Sequence, residues 1–298
     1  MSLATLYPGF RAVRIATSGA EIHALVGPRR DAPALLLVHG YPQTLAIWHK
    51  VAPALAEHFN VVVADLRGYG DSSKPPSDAT HSAYSKRAMA LDMVELMAAL
   101  GHSRFHLCGH DRGGRVSHRL AVDHPRAVSK LAVLDIAPTL AMYEQTNEAF
   151  ARAYWHWFFL ILPAPIPETM IGGDLGLFLG KKMSSGSAGL TVFSPEAWAE
   201  YERCCTPEMI HASCEDYRAS AGIDLEHDRA DRAAGKRIEA PLLALWGAKG
   251  VIERCFKPLE EWQRVARDVR GRSLPGGHYL AEELPEQVTA ELLAFFND

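Results

Sequence analysis

RFHLCGHDRGGRVSHRLA, residues 104 to 121, holds a strand, a sharp turn and the start of a helix in one run. RFHLCGH (104 to 110) is the short, nearly continuous apolar pattern of a strand buried on both faces. RGGRVSHRLAVDHP reads as a helix that stops at Pro125. Between them, GHDRG has the Gly-x-nucleophile-x-Gly spacing of a turn that lifts a reactive side chain above a sheet. The middle position usually holds serine, but here it is Asp111, and Arg112 and Arg115 follow it. A serine must lose a proton as it attacks, whereas an ionised carboxylate displaces a leaving group from a saturated carbon without a concurrent proton transfer. The turn therefore points to substitution through an aspartyl ester.

Outward from this run the pattern repeats. FRAVRIA (10 to 16) and EIHALVG (21 to 27) flank TSGA and predict an antiparallel hairpin. ALLLVHG (34 to 40), NVVVADLRG (60 to 68) and KLAVLDIAP (130 to 138) are further buried strands of parallel type, and APLLALWG (240 to 247) and the weaker VRGRSL resume the series. Helices are expected at KRAMALDMVELMAALG (86 to 101), around PLEEWQRVARD and at EQVTAELLAFF. From Leu140 to about Asp228 the rhythm stops: aromatics, prolines and helical spacing replace strands. The expectation is a mostly parallel, doubly wound α/β sheet, with a core domain of residues 1–139 and 229–298 and a helical cap, 140–228, inserted after the sixth strand.

Composition excludes several classes. With 298 residues, 48% hydrophobic, and a net charge of -4, the chain can bury a large core but has no basic field for nucleic acid or anionic lipid. No apolar run reaches the roughly 18 residues of a membrane helix, and the N-terminal stretch lacks a secretory pattern. The five cysteines, Cys108, Cys204, Cys205, Cys214 and Cys255, have no metal-like spacing and fit free thiols in a cytoplasm. No metal or organic cofactor is expected.

In such a sheet, ligands bind beyond the carboxyl ends of the strands. HGYPQ (39 to 43), Asp111, Asp135 and His278 in PGGHYL all fall at such ends, in the chain order nucleophile, acid, histidine. The motifs HGYPQT, VVADLRGYGDS, GHDRGGRVSHRLA, LAVLDIAPT, YWHWFF, CEDYRA, LALWGA and GGHYL resemble, in order and over nearly the full length, the fluoroacetate and haloacetate dehalogenases of the α/β-hydrolase superfamily. Haloalkane dehalogenases and epoxide hydrolases share the aspartate but usually carry Trp where this chain has Arg112.

The resemblance implies a catalytic set of Asp111, His278 and Asp135, with Glu253 as the competing acid. Water activated by His278 would hydrolyse the Asp111 ester, and the backbone N–H groups of Tyr41 and Arg112 would hold the oxyanion. Arg112 and Arg115 share a helix face, and cations at a helix start need a compensating partner. A substrate carboxylate between them, gripped bidentately, is one such partner; a structural acid such as Asp65 is the other. The resemblance favours the substrate, and assigns His156, Trp157 and Tyr217 to the halide and a homodimer to the assembly. His39, His106, His110 and His118 read as structural or exposed. The implied reaction is conversion of a short 2-haloacid to the hydroxy acid and halide. Two positions depart from the family: Tyr41 stands where Phe is expected, and KKMSSGSAG lacks a Trp, so a roomier or wetter pocket is expected. An epoxide hydrolase or a haloalkane dehalogenase using the same triad remains the alternative, the former with Tyr143, Tyr154, Tyr201 and Tyr217 as proton donors; against it, a neutral epoxide would leave the Arg112 guanidinium without a partner.

Overall fold

The computed structural model describes residues 3–186 and 188–298. The first two residues of the expected core and Ser187 of the KKMSSGSAG stretch lie outside the described residues. After a short helix, α1 (Leu3–Leu6), the hairpin strands β1 (Arg11–Ala16) and β2 (Glu21–Val26) pair antiparallel. Six further strands follow: β3 (Ala34–Val38), β4 (Asn60–Ala64), β5 (Phe105–His110), β6 (Val128–Leu134), β7 (Leu242–Gly247) and β8 (Val269–Leu274). They form one sheet in the order β1-β2-β4-β3-β5-β6-β7-β8, antiparallel at β1, β2 and β4 and parallel from β4 to β8.

The strands' sequences explain their places. β3, β4 and β7 are buried at every residue, as central parallel strands covered on both faces must be. β1 and β8 alternate exposed with half-buried positions, and they are the edges. One sheet face packs Leu36 and Val62 against Met89, Met93 and Leu96 of α3 (Lys86–Ala99) and Val116 and Leu120 of α4 (Arg112–Asp123). The other packs Leu35, Leu37 and Val63 against Trp48, Phe59, Leu292 and Phe296, with α2 (Ala52–Leu55) at its margin. Each fully buried Leu, Val or Met side chain stabilises the fold by about 1.5–3 kcal/mol.

Between β6 and β7 the chain is helical: α5 (Thr139–Glu144), α6 (Glu148–Ala153), α7 (Trp155–Phe159), α8 (Ile166–Gly173), α9 (Leu175–Ser184), α10 (Pro195–Cys204), α11 (Pro207–Ala221) and α12 (Ile223–Ala233). The expected boundary at 228 falls inside α12. Past the strand β7, α13 (Val251–Cys255) and α14 (Pro258–Val265) lead to β8, and α15 (Leu280–Glu283) and α16 (Pro285–Asn297) close the chain.

Candidate active site

The turn between β5 and α4 is sharp because two glycines permit it. A Cβ on Gly113 would lie 2.4 Å from the main-chain oxygens of Val38 and His39, and one on Gly109 would lie 2.4 Å from the oxygen of Gly113. Helix, strand and neighbouring strand meet at contact distance, and Asp111 is left at φ 47 at the apex. Asp135, just past β6, also has positive φ (50). Such backbone costs free energy and persists where its surroundings hold it.

Asp111, Asp135 and His278 converge. His278 Nδ1 lies 2.6 Å from Asp135 Oδ2, and Gly247 N donates to the other oxygen, Oδ1, at 2.8 Å. On its other side, His278 Nε2 is 3.9 Å from Asp111 Oδ2. The main-chain N of His278 donates to Gly186 O, beyond the end of α9, at 2.6 Å. Glu253, the competing acid, accepts instead from Trp246 Nε1. Tyr41 N donates to Asp111 Oδ1 at 3.0 Å. Burial alone would raise the Asp111 carboxyl, but His278, Arg115, His110 and Arg112 together hold it well below the usual carboxylate range, so it is an anion.

The arginines behave differently from one another. Arg112 is fully buried, and its Nε and Nη2 donate to Asp216 Oδ2 and Oδ1 at 2.9 and 2.6 Å; Nη2 also donates to Asp216 O and Ser220 Oγ. Asp216 thus takes Nε and Nη2 of Arg112 and leaves Nη1 as its donor without a protein partner among the described residues. The structural acid is Asp216 of α11, not Asp65, which binds His23 at 2.8 Å and accepts from Leu45 N. Lys86 also pairs with Asp216, and burial of that carboxyl is outweighed by Arg112 and Lys86, which bring it down to about 2. The argument that a neutral epoxide would leave Arg112 without a partner falls with it.

Arg115 has no such acid. Its Nη1 donates to Ala137 O (3.2 Å) and Thr139 Oγ1 (3.0 Å), Nη2 faces Met142 Sδ (3.2 Å), and its guanidinium carbon lies 4.6 Å from the Trp157 ring centroid. Among the described residues, Arg112 Nη1, Arg115 Nε, Trp157 Nε1 and Tyr217 Oη are buried donors around this point with no acceptor. Arg112 lies over the Tyr217 ring at 4.1 Å, and Tyr41 and His156 close the wall, with centroids 5.3 and 5.9 Å from that of Tyr217. Burial first, and Lys182 after it, push the His156 imidazole well below its usual value, so the ring is neutral. Burial, then Asp111, push the Tyr217 phenol well above its own.

Of the other histidines, His39 accepts from Leu66 N and His110 bonds His278 O at 2.7 Å, so both support the site from below. His106 bonds Ser129 and His118 packs edge-on to Trp262, away from it. The tyrosines divide: Tyr201 bonds Glu282 elsewhere, Tyr154 sits against His156 and His278, and Tyr143 has a buried hydroxyl without an acceptor. Among the described residues, no group of His, Cys, Asp or Glu side chains could hold a metal ion, and no helix is long and apolar enough to cross a membrane. The sequence reading missed Asp216 and Lys182. Asp216 was in view beside Tyr217 in CEDYRA, but its partner is 104 residues away along the chain.

Residues 33–252 match the family model described as the alpha/beta hydrolase fold. The chain is 45% identical to a fluoroacetate dehalogenase of Burkholderia sp over 98% of its length and 96% of that protein's. It is 34% identical to a soluble epoxide hydrolase of Corynebacterium sp. (strain C12) over 88% of its length and 89% of the other's. A crystal structure of an alpha/beta hydrolase from Nostoc sp PCC 7120 superposes with a TM-score of 0.94 at 51% identity, covering 96% of this chain and 98% of that one. With an aspartate at the elbow, a histidine on the last loop and these likenesses, the chain belongs to the α/β-hydrolase superfamily and, within it, to the fluoroacetate and haloacetate dehalogenase family.

Proposed function

We propose that the protein hydrolyses the carbon–halogen bond of a haloacetate, fluoroacetate or chloroacetate, to glycolate and halide. The observation that carries the reading is the cluster of buried donors without acceptors at Arg112, Arg115, Trp157 and Tyr217, grouped around an ionised Asp111. A buried donor left unpaired costs about 1–3 kcal/mol, and an acceptor-rich anion removes that cost. The fluoroacetate dehalogenase relative supports the same substrate class.

In this reading, Arg112 Nη1 and Arg115 Nε hold the substrate carboxylate, one donor from each. Asp111 Oδ2 attacks the α carbon from the side opposite the halogen; the C–O bond forms as the C–X bond breaks, and the halide leaves with the bonding pair. Trp157 Nε1, Tyr217 Oη and His156 donate to that developing charge. His278 Nε2 then takes a proton from water, whose oxygen attacks Asp111 Cγ. Tyr41 N, already on Asp111 Oδ1, stabilises the oxyanion, with Arg112 N as second donor. Collapse breaks the ester, His278 returns the proton to glycolate, and Asp135 steadies the imidazolium in between.

Mass spectrometry after one turnover in oxygen-18 water tests this. The heavy isotope is expected in Asp111 and not in glycolate; the reverse sinks the ester mechanism. His278→Asn is expected to release one equivalent of halide and stop, with Asp111 carrying a carboxymethyl group.

A second reading, epoxide hydrolysis, is favoured by the free hydroxyls of Tyr143 and Tyr217 and by the neutralisation of Arg112 by Asp216. Halide release from chloroacetate set against diol formation from styrene oxide separates the two. The proposal extends to the architecture and setting: residues 140–228 as a cap on a core of 1–139 and 229–298, a homodimer, and a reducing cytoplasm. The free thiols of all five cysteines support the last point.

A further inference from the structure

Lys182 is a buried cation to which the steps above give no work. It lies in α9 and is 6% exposed. Its Nζ makes one long contact, to Tyr279 Oη at 3.5 Å, and sits 5.9 Å from the ring centroids of Tyr41 and of Tyr279. Among the described residues, no carboxylate lies within ion-pair distance of it. A buried ammonium without a paired acid costs several kcal/mol, so a compensating interaction is to be expected.

Charges around the site show what that interaction is. Arg112 is matched by Asp216, and Lys86 by Asp216 and Asp224. Arg115 stands in the field of Asp111. A haloacid brings one more negative charge, and breaking the C–X bond passes a negative charge to the halide. Among the described residues, Lys182 is the remaining buried cation at the site.

It also lines a cleft beside the reacting groups. A cleft of about 320 Å³ has Lys182, His156 and His278 on its inner wall and Lys249 and Arg254 further out. Lys249 and Arg254 are exposed. The one acid on the lining, Glu283, accepts from the main-chain N of Gly277 and of Tyr279. Asp111, Tyr41, Arg115 and Tyr217 do not line this cleft. Lys182 lines the cleft and also lies 5.9 Å from the Tyr41 ring centroid and in the field of Asp111, so it borders both.

We propose that Lys182 is the anion-binding residue at the inner end of this cleft, taking small monovalent anions, carboxylate inward and halide outward, between solvent and Asp111. The inference rests on the haloacid reading only for the direction of traffic. Lysine suits such a role: a compact charge on a flexible stem with three donors can follow an ion that moves.

The groups facing Lys182 leave it as the one to watch near neutral to alkaline pH. Burial pushes its ammonium down to about 8, opposed by Asp111. Asp111 is held far below that, His156 well below its ordinary value, and the phenols of Tyr41 and Tyr279 well above theirs. His278 also faces the cleft, and its share is removed by measuring in the His278→Asn background. Anion affinity is thus expected to be full well below pH 8 and to fall as the pH rises through it.

The test is equilibrium binding of chloride and of acetate, followed by tryptophan fluorescence from pH 6 to 10, for the parent, Lys182→Met and Lys182→Arg. Lys182→Met is expected to weaken both anions about 10-fold and to flatten the pH dependence. Lys182→Arg is expected to restore binding and hold it to pH 10, which also shows that loss in the Met variant is not misfolding. Unchanged binding of both anions in Lys182→Met, or loss in Met that Arg does not restore, overturns the proposal. Because no turnover is needed, failure here is distinct from failure of the dehalogenase reading.

Discussion

Arg112 and Arg115, one helical turn apart, predict opposite responses to neutralisation. Arg112 shares an ion pair with Asp216, so Arg112→Met leaves a buried carboxylate with Lys86 as its one cation and is expected to lower the melting temperature. Arg115 holds its charge among a carbonyl, a hydroxyl, a thioether and an indole face. Arg115→Met is therefore expected to leave stability unchanged or raise it, while kcat/KM for chloroacetate falls by about 100-fold or more, the worth of a charge-assisted hydrogen bond or two. Thermal melts alongside steady-state kinetics check both halves; a large fall in melting temperature for Arg115→Met contradicts this assignment. Arg115→Lys is not expected to rescue, since an ammonium cannot reproduce the planar fork that already spends Nη1 and Nη2 on the protein.

At the scale of elements, α11 does two jobs within one turn. Asp216 fastens it to Arg112, Lys86 and Tyr69, and the next residue, Tyr217, lays its ring under the Arg112 guanidinium. Asp216→Asn leaves the buried Arg112 without its acid and Lys86 with Asp224 alone, and is expected to destabilise by about 3–5 kcal/mol and to raise KM. The pH dependence has a definite sign. The Asp216 carboxyl is depressed from its ordinary 3.8 to about 2, so its stabilisation is present above pH 4 and is lost as pH falls through 2. The gap in melting temperature between parent and Asp216→Asn should thus narrow between pH 4 and pH 2; a constant gap argues against the ion pair as the fastening. The strand–turn–helix from Phe105 to Asp123 was legible in the sequence because its glycines, apolar run and helix period are all local. The fastening was not, because it joins α4 to a helix of another region, and the helices α5 to α7, at five or six residues, are too short to display a period. Lys182 was hidden for a related reason: Lys181 and Lys182 read alike along the chain, and only the tertiary arrangement buries one of them and exposes the other.

For the whole molecule, the sheet edges and the helical region offer different surfaces. Edge strands β1 and β8 carry arginines paired as Arg14–Glu21, Arg270–Asp298 and Arg272–Glu291, which discourages strand-to-strand association. Helices α8 and α9 instead expose Ile166, Met170 and Leu177, at 47%, 65% and 58%. If the proposed homodimer forms, this apolar face is where it is expected. Sedimentation should give a dimer for the parent and a monomer for the Met170→Glu, Leu177→Glu double variant; a dimer unaffected by both charges places the interface elsewhere. Nothing in the linear pattern disclosed this face, since apolar residues in short helices look the same whether they point in or out.

The main-chain bond from His278 to Gly186 has a bearing on how such enzymes diversify. The loop carrying His278, the proposed general base, hangs from a carbonyl that the helical region supplies, so the two cannot be shuffled as independent modules. A chimaera that borrows α9 and the segment after it from a relative inherits, or forfeits, the aim of the imidazole along with the new specificity.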